Sequence, residues 1–360
     1  MPVVDRTLLG PGPSNLYPEV VAAQALPILG HLDPAFLALL DETCERLRTV
    51  FRTSNELTFP ASGTGSAGME ASFVNFVEPG ATVVVGVNGV FGNRMCDVAE
   101  RCGAEVIRVD APWGQPLDPA AVLAAHPSPT IIAVVHAETS TGVRNAIEPL
   151  GAGKGDALLL VDCVTSLGGI PVEVDGWGID IAYSGTQKCL GVPPGLAPLT
   201  VNERARSRMV ERSRSWYLDL RMISEYVGSG SGRTYHHTAP TVAIAGLHAG
   251  LGALLDEGLE ASWARHGSAG SALQDGLQKL GLELFAAEGH RLPELTTVWL
   301  PDGADDKALR GALLDDYGIE VGGGLGEFAG KVWRIGLMGP NARHANVTLL
   351  LGALAELLGR

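Results

Sequence analysis

The chain has 360 residues, 46% hydrophobic and 18% charged, the proportions of a folded globular protein with room for two domains and a large core. A net charge of −14, from 26 Lys+Arg against 40 Asp+Glu, with no long basic run, speaks against a phosphate-backbone binder. Five cysteines, an odd number with no CxxC pair, argue against a disulfide framework or a zinc site and for a reducing compartment.

In chain order, Leu9-Gly-Pro-Gly-Pro-Ser-Asn-Leu-Tyr-Pro18 is too rich in Pro and Gly for a helix or a central strand. It predicts an extended N-terminal arm over residues 1–20. Asp33 caps, and Pro34 opens, a helix running to about Val50. Strands and helices then alternate. The strands are expected at Leu57–Ala61, Thr82–Val87, Ala104–Val109, Thr130–His136, Ala157–Val164, Asp180–Ser184 and Leu196–Val201. Helices between them include Gly68–Val77 and Gly92–Arg101. Runs such as Thr130-Ile-Ile-Ala-Val-Val-His136 are apolar on both faces, which predicts a mostly parallel seven-stranded sheet flanked by helices. This large α/β domain spans residues 21–255. A long helix from Glu257 to Leu280 then opens a smaller C-terminal α/β domain, residues 256–360. It continues with a strand at Leu295–Leu300, a helix at Lys307–Tyr317, a strand at Lys331–Gly336 and a last helix at Ala342–Leu358. No apolar run has membrane-span length, no charged-then-apolar leader precedes the arm, and the end Glu356–Arg360 is no peroxisomal address. The cytoplasm is the expected location.

The chemistry-bearing residues cluster at predicted strand ends, where open parallel sheets bind ligands. Ser62-Gly-Thr-Gly-Ser-Ala-Gly-Met-Glu70 follows a strand and opens a helix. Its glycines admit a close ligand, the helix start offers free N–H groups, and Thr64 and Ser66 add hydroxyls, so the segment reads as a phosphate cradle. It also spells G-x-G-x-x-G from Gly63 to Gly68, the dinucleotide fingerprint, without the acidic residue expected about 20 residues on. Phe91, in Asn88-Gly-Val-Phe-Gly, serves equally as a stacking surface for a flat ring or as a core residue. Thr139 ends a buried strand and suits a ring hydroxyl. Asp162 ends Ala157-Leu-Leu-Leu-Val-Asp, where an acid suits a pyridine nitrogen or simply caps a helix. Lys188 follows the strand Asp180–Ser184 by way of Gly185-Thr-Gln187. Burial there would lower its pKa and free an amine able to hold an aldehyde cofactor as a Schiff base. Tyr235 and Thr238, beyond the Gly/Ser-rich stretch Gly228–Gly232, are candidate phosphate contacts, whereas a metal at His236-His237 lacks a third ligand. Arg334 is a charge inside an apolar strand and needs a partner, either a structural carboxylate or a substrate's.

Taken in order, these segments resemble the class V, fold type I aminotransferases that use pyridoxal 5'-phosphate, within them the alanine–glyoxylate / serine–pyruvate group. The resemblance covers nearly the whole chain. It runs from Gly10-Pro-Gly-Pro-Ser-Asn through Ser62-Gly-Thr-Gly, Asn88-Gly-Val-Phe-Gly, Glu138-Thr-Ser-Thr-Gly, Val161-Asp-Cys-Val, Ser184-Gly-Thr-Gln-Lys, Pro193-Pro-Gly, Tyr235-His-His-Thr and Gly322-Gly-Gly-Leu-Gly to Arg334-Ile-Gly-Leu-Met-Gly. It implies the aspartate-aminotransferase fold and a homodimer whose sites lie at the subunit interface. It implies that Lys188 carries the cofactor and Asp162 pairs its pyridine nitrogen. Thr64, Gly65, Ser66 and Gln187 would hold the phosphate, with Tyr235 and Thr238 from the other subunit. Phe91 would stack on one ring face, Val164 would pack on the other, and Thr139 would lie near the ring oxygen. Arg334 would hold the substrate carboxylate, and the arm at Gly12 would line the site. Some members carry Trp at the position of Phe91 and His at that of Ser66. The activity implied is amino transfer from a small amino acid, alanine or serine, to glyoxylate or pyruvate by a ping-pong mechanism. Alternatives are a ureidoglycine–glyoxylate, aminoethylphosphonate or pyridoxamine–pyruvate transaminase, a lyase or desulfurase on the same fold, or a nicotinamide-dependent dehydrogenase.

Overall fold

Runs apolar on both faces need cover on both sides, and the chain supplies it. The computed structural model describes residues 4–228 and 232–360. The middle of the Gly228–Gly232 stretch and the first three residues of the arm lie outside the described residues. The central sheet holds seven strands: β1 (Leu57–Ser62), β2 (Thr82–Val87), β3 (Glu105–Asp110), β4 (Ile131–Val135), β5 (Leu158–Asp162), β6 (Ile181–Tyr183) and β7 (Leu196–Val201). Their order across the sheet is β1-β7-β6-β5-β4-β2-β3. Strand β7 runs antiparallel to both neighbours, and every other pairing is parallel. The central strands β4, β5 and β6 are buried along their whole length. The edge strand β3 carries exposed Glu105 and Asp110, charges that blunt a free sheet edge.

Three helices matter for the site or its frame: α1 (Pro34–Phe51), α2 (Gly65–Val74) and α3 (Val90–Arg101). The Asp33 side chain accepts from the Ala35 N–H at 2.8 Å and caps α1. Helices α2 and α3 begin three and two residues before their expected starts at Gly68 and Gly92. Both therefore open on the glycine-rich turns, so that free N–H groups stand at the carboxyl edge of the sheet.

The expected helix Glu257–Leu280 is present to within two residues of its bounds, and a helix not expected from the sequence precedes it. Two helices lie here, α4 (Thr241–Glu257) and α5 (Leu259–Lys279), bent by 83° where they meet. Gly258 makes the corner with φ +89°, a backbone region open to glycine and strained for other residues. Beyond it, β8 (Leu295–Trp299), β9 (Gly322–Gly323) and β10 (Val332–Gly336) form an antiparallel sheet in the order β8-β10-β9. Helices α6 (Asp306–Tyr317) and α7 (His344–Leu358) complete this part. The arm has a short strand of its own, Thr7–Leu8, paired in parallel with Ile319–Glu320.

The apolar core falls into clusters. One gathers residues from Tyr17 to Leu259 around the seven-stranded sheet. A second joins Leu9 of the arm to residues between Ala269 and Leu354. A third is small and bridging: Ala137, Ile170, Cys189, Leu292, Leu295 and Met338. Among the described residues no single helix is long and apolar enough to cross a membrane.

Glu294 sits at that junction, fully buried, and neither carboxyl oxygen has a hydrogen-bond partner among the described residues. Burial pushes its pKa to about 8. A folded-state pKa above the unfolded one means the folded state binds the proton more tightly. The stability this confers is complete below the ordinary carboxyl range and is lost as pH rises toward about 8. Glu294→Gln cannot ionise, so its melting temperature relative to the parent should climb as pH is raised through this window and level off above about 8. A difference independent of pH in thermal melts would mean that Glu294 ionises normally.

Candidate active site

The site is built at the carboxyl ends of β5 and β6. Asp162 closes β5 and is 3% exposed. Its Oδ1 accepts from the Val164 N–H at 2.8 Å and its Oδ2 from the Tyr183 hydroxyl at 2.7 Å. Burial raises its pKa to about 6, against the pull of these two donors and of the Lys188 and Arg94 charges. Lys188 stands five residues past the end of β6 and is 8% exposed. Burial first, then the Arg334 guanidinium, lower its pKa to about 8. Such an amine is partly uncharged near neutrality, as a nucleophile or proton acceptor must be.

The arm is folded over this amine. The Ser14 N–H donates to the Gln187 carbonyl at 2.9 Å, and the Ser14 hydroxyl to the Lys188 carbonyl at 2.9 Å. Lys188 Nζ donates to the Pro11 carbonyl. A Cβ on Gly12, whose φ is +103°, would stand 2.7 Å from Lys188 Nζ. Only glycine lets the arm pass this close.

The glycine-rich turn lies on the facing side. Thr64 occupies the position before α2 but makes no side-chain capping bond, so its hydroxyl is unspent. Thr64 and Ser66 face solvent at the mouth. A Cβ on Gly65 would come within 2.9 Å of Val164 Cγ2, so the cradle closes directly onto the turn after Asp162. Gln187 buries its Oε1 with no hydrogen-bond partner. An amide can turn over to present its NH2 there instead.

At the next strand end, Thr139 is buried and its hydroxyl meets that of Thr165. Its neighbours hold the start of α3. Ser140 Oγ accepts from the Val90 N–H at 2.9 Å, and the buried Glu138 accepts from the Gly92 N–H at 3.3 Å. This sets the position of Phe91, half-buried, with the Arg94 guanidinium 4.8 Å from its ring centre.

Arg334 lies in β10, buried, with Nε donating to the Gly323 carbonyl at 2.8 Å. It has no ion-pair partner among the described residues; the nearest influence is the Glu138 charge. Burial lowers its pKa to about 10, so it stays a cation at neutral pH. A buried guanidinium with its fork unpaired is fitted to a carboxylate arriving from outside.

The orphaned Gln187 amide, the unspent Thr64 hydroxyl, the lowered amine and the buried acid together match the needs of a phosphorylated pyridine aldehyde. The aminotransferase class-V profile matches residues 17–333. The alanine–glyoxylate aminotransferase of Callithrix jacchus is 42% identical, over 98% of this chain and 87% of the relative. The chain belongs to the class-V aminotransferases. The (S)-ureidoglycine–glyoxylate transaminase of Bacillus subtilis is 38% identical, over 99% of this chain and 91% of that protein. The crystal structure of an alanine–glyoxylate aminotransferase from Nostoc sp. superimposes with a TM-score of 0.96 at 48% identity, covering 99% and 96% of the two chains. The enzyme is thus a transaminase of PLP fold type I whose cofactor is pyridoxal phosphate.

The structure gathers Lys188, Asp162, Val164, Gly65 and Gly12 about one point, with Thr64 and Ser66 either side of Gly65 in the chain, Gln187 next to Lys188, and the Arg334 charge acting on Lys188. It does not bring Tyr235 or Thr238 into that group. Tyr235 stacks on Tyr226 at 4.2 Å between ring centres and touches His236 and His237, while Thr238 is exposed. Sequence reasoning missed Tyr183, Glu138, Ser140 and Thr165, because each acts through a neighbour. It also missed Arg94, which donates to Ser66 Oγ at 3.2 Å. Arg94 lies one helical turn past Phe91, a spacing that pointed to it.

Two alternatives lose support on this geometry. The G-x-G-x-x-G turn follows an edge strand whose only neighbour, β7, is antiparallel, which is not the adjacent parallel pair of a dinucleotide fold. Cys189 is wholly buried, its Sγ faces the Thr165 carbonyl at 3.2 Å, and burial holds its thiol well above the ordinary range, so it is no mobile nucleophile.

Gly12→Ala should push Lys188 from its seat. Apoprotein carrying it should melt lower, since φ +103° strains alanine, and should bind pyridoxal phosphate ~10-fold more weakly or worse, a loss of about 1.4 kcal/mol, at temperatures well below the melt. Unchanged affinity in an absorbance titration would show that the arm does not constrain the lysine.

Proposed function

We propose that this transaminase moves the amino group of a small amino acid, alanine or serine, to a small 2-oxo acid, glyoxylate or pyruvate, in two half-reactions at one site. The observation that carries the reading is Lys188: a buried amine lowered to about 8, between Asp162 and an unpaired Arg334. Glyoxylate as acceptor is favoured by the names of all three relatives described above.

Pyridoxal phosphate, when bound, supplies an aldehyde carbon that takes the amino group and a ring that spreads the electron pair released at the substrate Cα. The chain's residues do the rest. Thr64, the Gly65 and Ser66 amides and Gln187 hold the phosphate. Phe91 and Val164 would flank the ring, and Thr139 would lie near its oxygen. Asp162, dry and ionised above about pH 6, offers a carboxylate to the ring nitrogen. Arg334 fixes the substrate carboxylate and so turns the Cα–H toward Lys188. Lys188 Nζ takes that proton and would return it to the carbon that brought the aldehyde, on the far side of the amino nitrogen, a transfer its lowered pKa suits. The arm, with the Pro11 carbonyl over Nζ, keeps water from the amine.

Tyr235 and Thr238 are assigned to the phosphate of a second copy's site, which makes the working unit a homodimer. Exposed apolar side chains Val21, Leu26, Ile28 and Leu32 near the arm favour burial against that copy. All five cysteines are buried and free, in keeping with a reducing cytoplasm. The phosphate cradle favours the phosphorylated cofactor over an unphosphorylated vitamer as substrate.

Borohydride added to the parent should fix the cofactor on the peptide containing Lys188, and Lys188→Ala should abolish turnover. Label on another peptide would remove Lys188 from its role. Arg334→Ala should raise KM for amino and oxo acids alike by ~10- to ~100-fold, the worth of charge-assisted hydrogen bonds. An unchanged KM would take Arg334 out of the substrate site. A coupled assay of alanine, serine and ureidoglycine against glyoxylate and pyruvate decides the donor. Turnover with ureidoglycine alone would displace this reading in favour of the ureidoglycine–glyoxylate type.

A further inference from the structure

Tyr183 closes β6 as Asp162 closes β5, and the two are register partners on parallel neighbouring strands. Their side chains leave the same face of the sheet. Tyr183 is wholly buried, and its hydroxyl makes one hydrogen bond among the described residues, to Asp162 Oδ2. The Val164 N–H takes Oδ1. Each carboxylate oxygen therefore holds one protein donor and keeps a lone pair for a further one. The ring of Tyr183 is held in turn by α2. A Cβ on Gly68 would stand 3.0 Å from Tyr183 Cβ and 3.3 Å from its Cδ2, so the phosphate-cradle helix rests on this ring.

We infer that Tyr183 is a positioning residue for the cofactor's ring nitrogen: its hydroxyl fixes the Asp162 carboxylate in its ionised form and in the orientation that accepts from that nitrogen. The inference rests on the assignment of Asp162 above. Burial favours the neutral acid, and a neutral acid cannot balance a protonated pyridine; each donated hydrogen bond favours the carboxylate. The other groups facing Asp162 are the Lys188 and Arg94 cations, which also favour the carboxylate. The Glu138 carboxylate and the Cys163 thiol oppose it when charged. Tyr183 alone combines a direct hydrogen bond with a ring locked against the cradle helix.

Tyr183→Phe removes the hydroxyl and keeps the packing. The test compares apoprotein affinities, by fluorescence titration, for pyridoxal phosphate and for its carbon analogue in which the ring nitrogen is replaced by C–H. The substitution should weaken pyridoxal phosphate ~10-fold, as expected for a hydrogen bond to a charged group, and the analogue by less than ~2-fold. The acid limb of pyridoxal phosphate affinity should also move to higher pH, since Asp162 would ionise later. In an Asp162→Asn background the same substitution should change affinity by less than ~2-fold, because its partner no longer carries the charge. Equal losses for both ligands, or an undiminished effect in that background, overturn the inference alone. A parent protein that binds the two ligands equally well overturns the Asp162 assignment together with it.

Discussion

Lys188 is buried within the electrostatic reach of both Asp162 and Arg334, themselves buried, and the chain does not neutralise the three among themselves. Taking charges out of water without full pairing is costly. Asp162 and Lys188 show that cost as pKa values moved toward the neutral forms, and Arg334 shows it as a cation without an ion-pair partner. A protonated pyridine for Asp162, an aldehyde for the lysine and a carboxylate for the arginine would complete the pairing. The site is electrostatically unfinished in a way that defines its ligands.

Holding such a group together requires convergence from distant parts of the chain. The parallel sheet brings Asp162, Thr139 and the Tyr183–Lys188 turn to one edge, because all their strands end there. Arg334 comes from the small C-terminal sheet, and the arm bridges the two. Leu9 donates its N–H to the Glu320 carbonyl and accepts from the Gly336 N–H, while Ser14 is bonded to the Gln187–Lys188 backbone. A displacement of the C-terminal part is thereby transmitted through the six arm residues Leu9–Ser14 to the lysine. The bridging cluster around Cys189 and Leu295 couples the same two regions from behind. The polar group buried next to it, Glu294, has no place in the chemistry, and the structure gives it no partner among the described residues.

Much of this was legible in the residues. The apolar runs located every strand of the large sheet to within about two residues, the central parallel strands β4, β5 and β6 most plainly, because they are buried on both faces. The lysine, the aspartate and the arginine stood out because charge in apolar surroundings is rare and demands a reason. What escaped has a common physical cause. The helix Thr241–Glu257 is apolar and glycine-bearing, with no charged face to mark it in the sequence. Tyr183, Glu138 and Thr165 touch other side chains rather than a ligand, so nothing in their local sequence distinguishes them from core. Their roles follow from register across the sheet, which spacing along the chain does not encode.

The Gly63–Gly68 turn makes the same point from the other side. As a string it is indistinguishable from a dinucleotide fingerprint, yet its glycines are used differently. Gly63, at φ +126°, makes the corner and ties its N–H to the Gly195 carbonyl. Gly65 leaves room for Val164 beside Asp162, and Gly68 leaves room for the ring of Tyr183. In a dinucleotide fold the second glycine admits a pyrophosphate and the third a neighbouring strand. Here both admit side chains that frame one aspartate. The same spacing of small residues thus serves whatever must approach a helix start closely, and the strand it follows, an edge strand beside an antiparallel neighbour, together with the missing acidic residue downstream, tells the two uses apart.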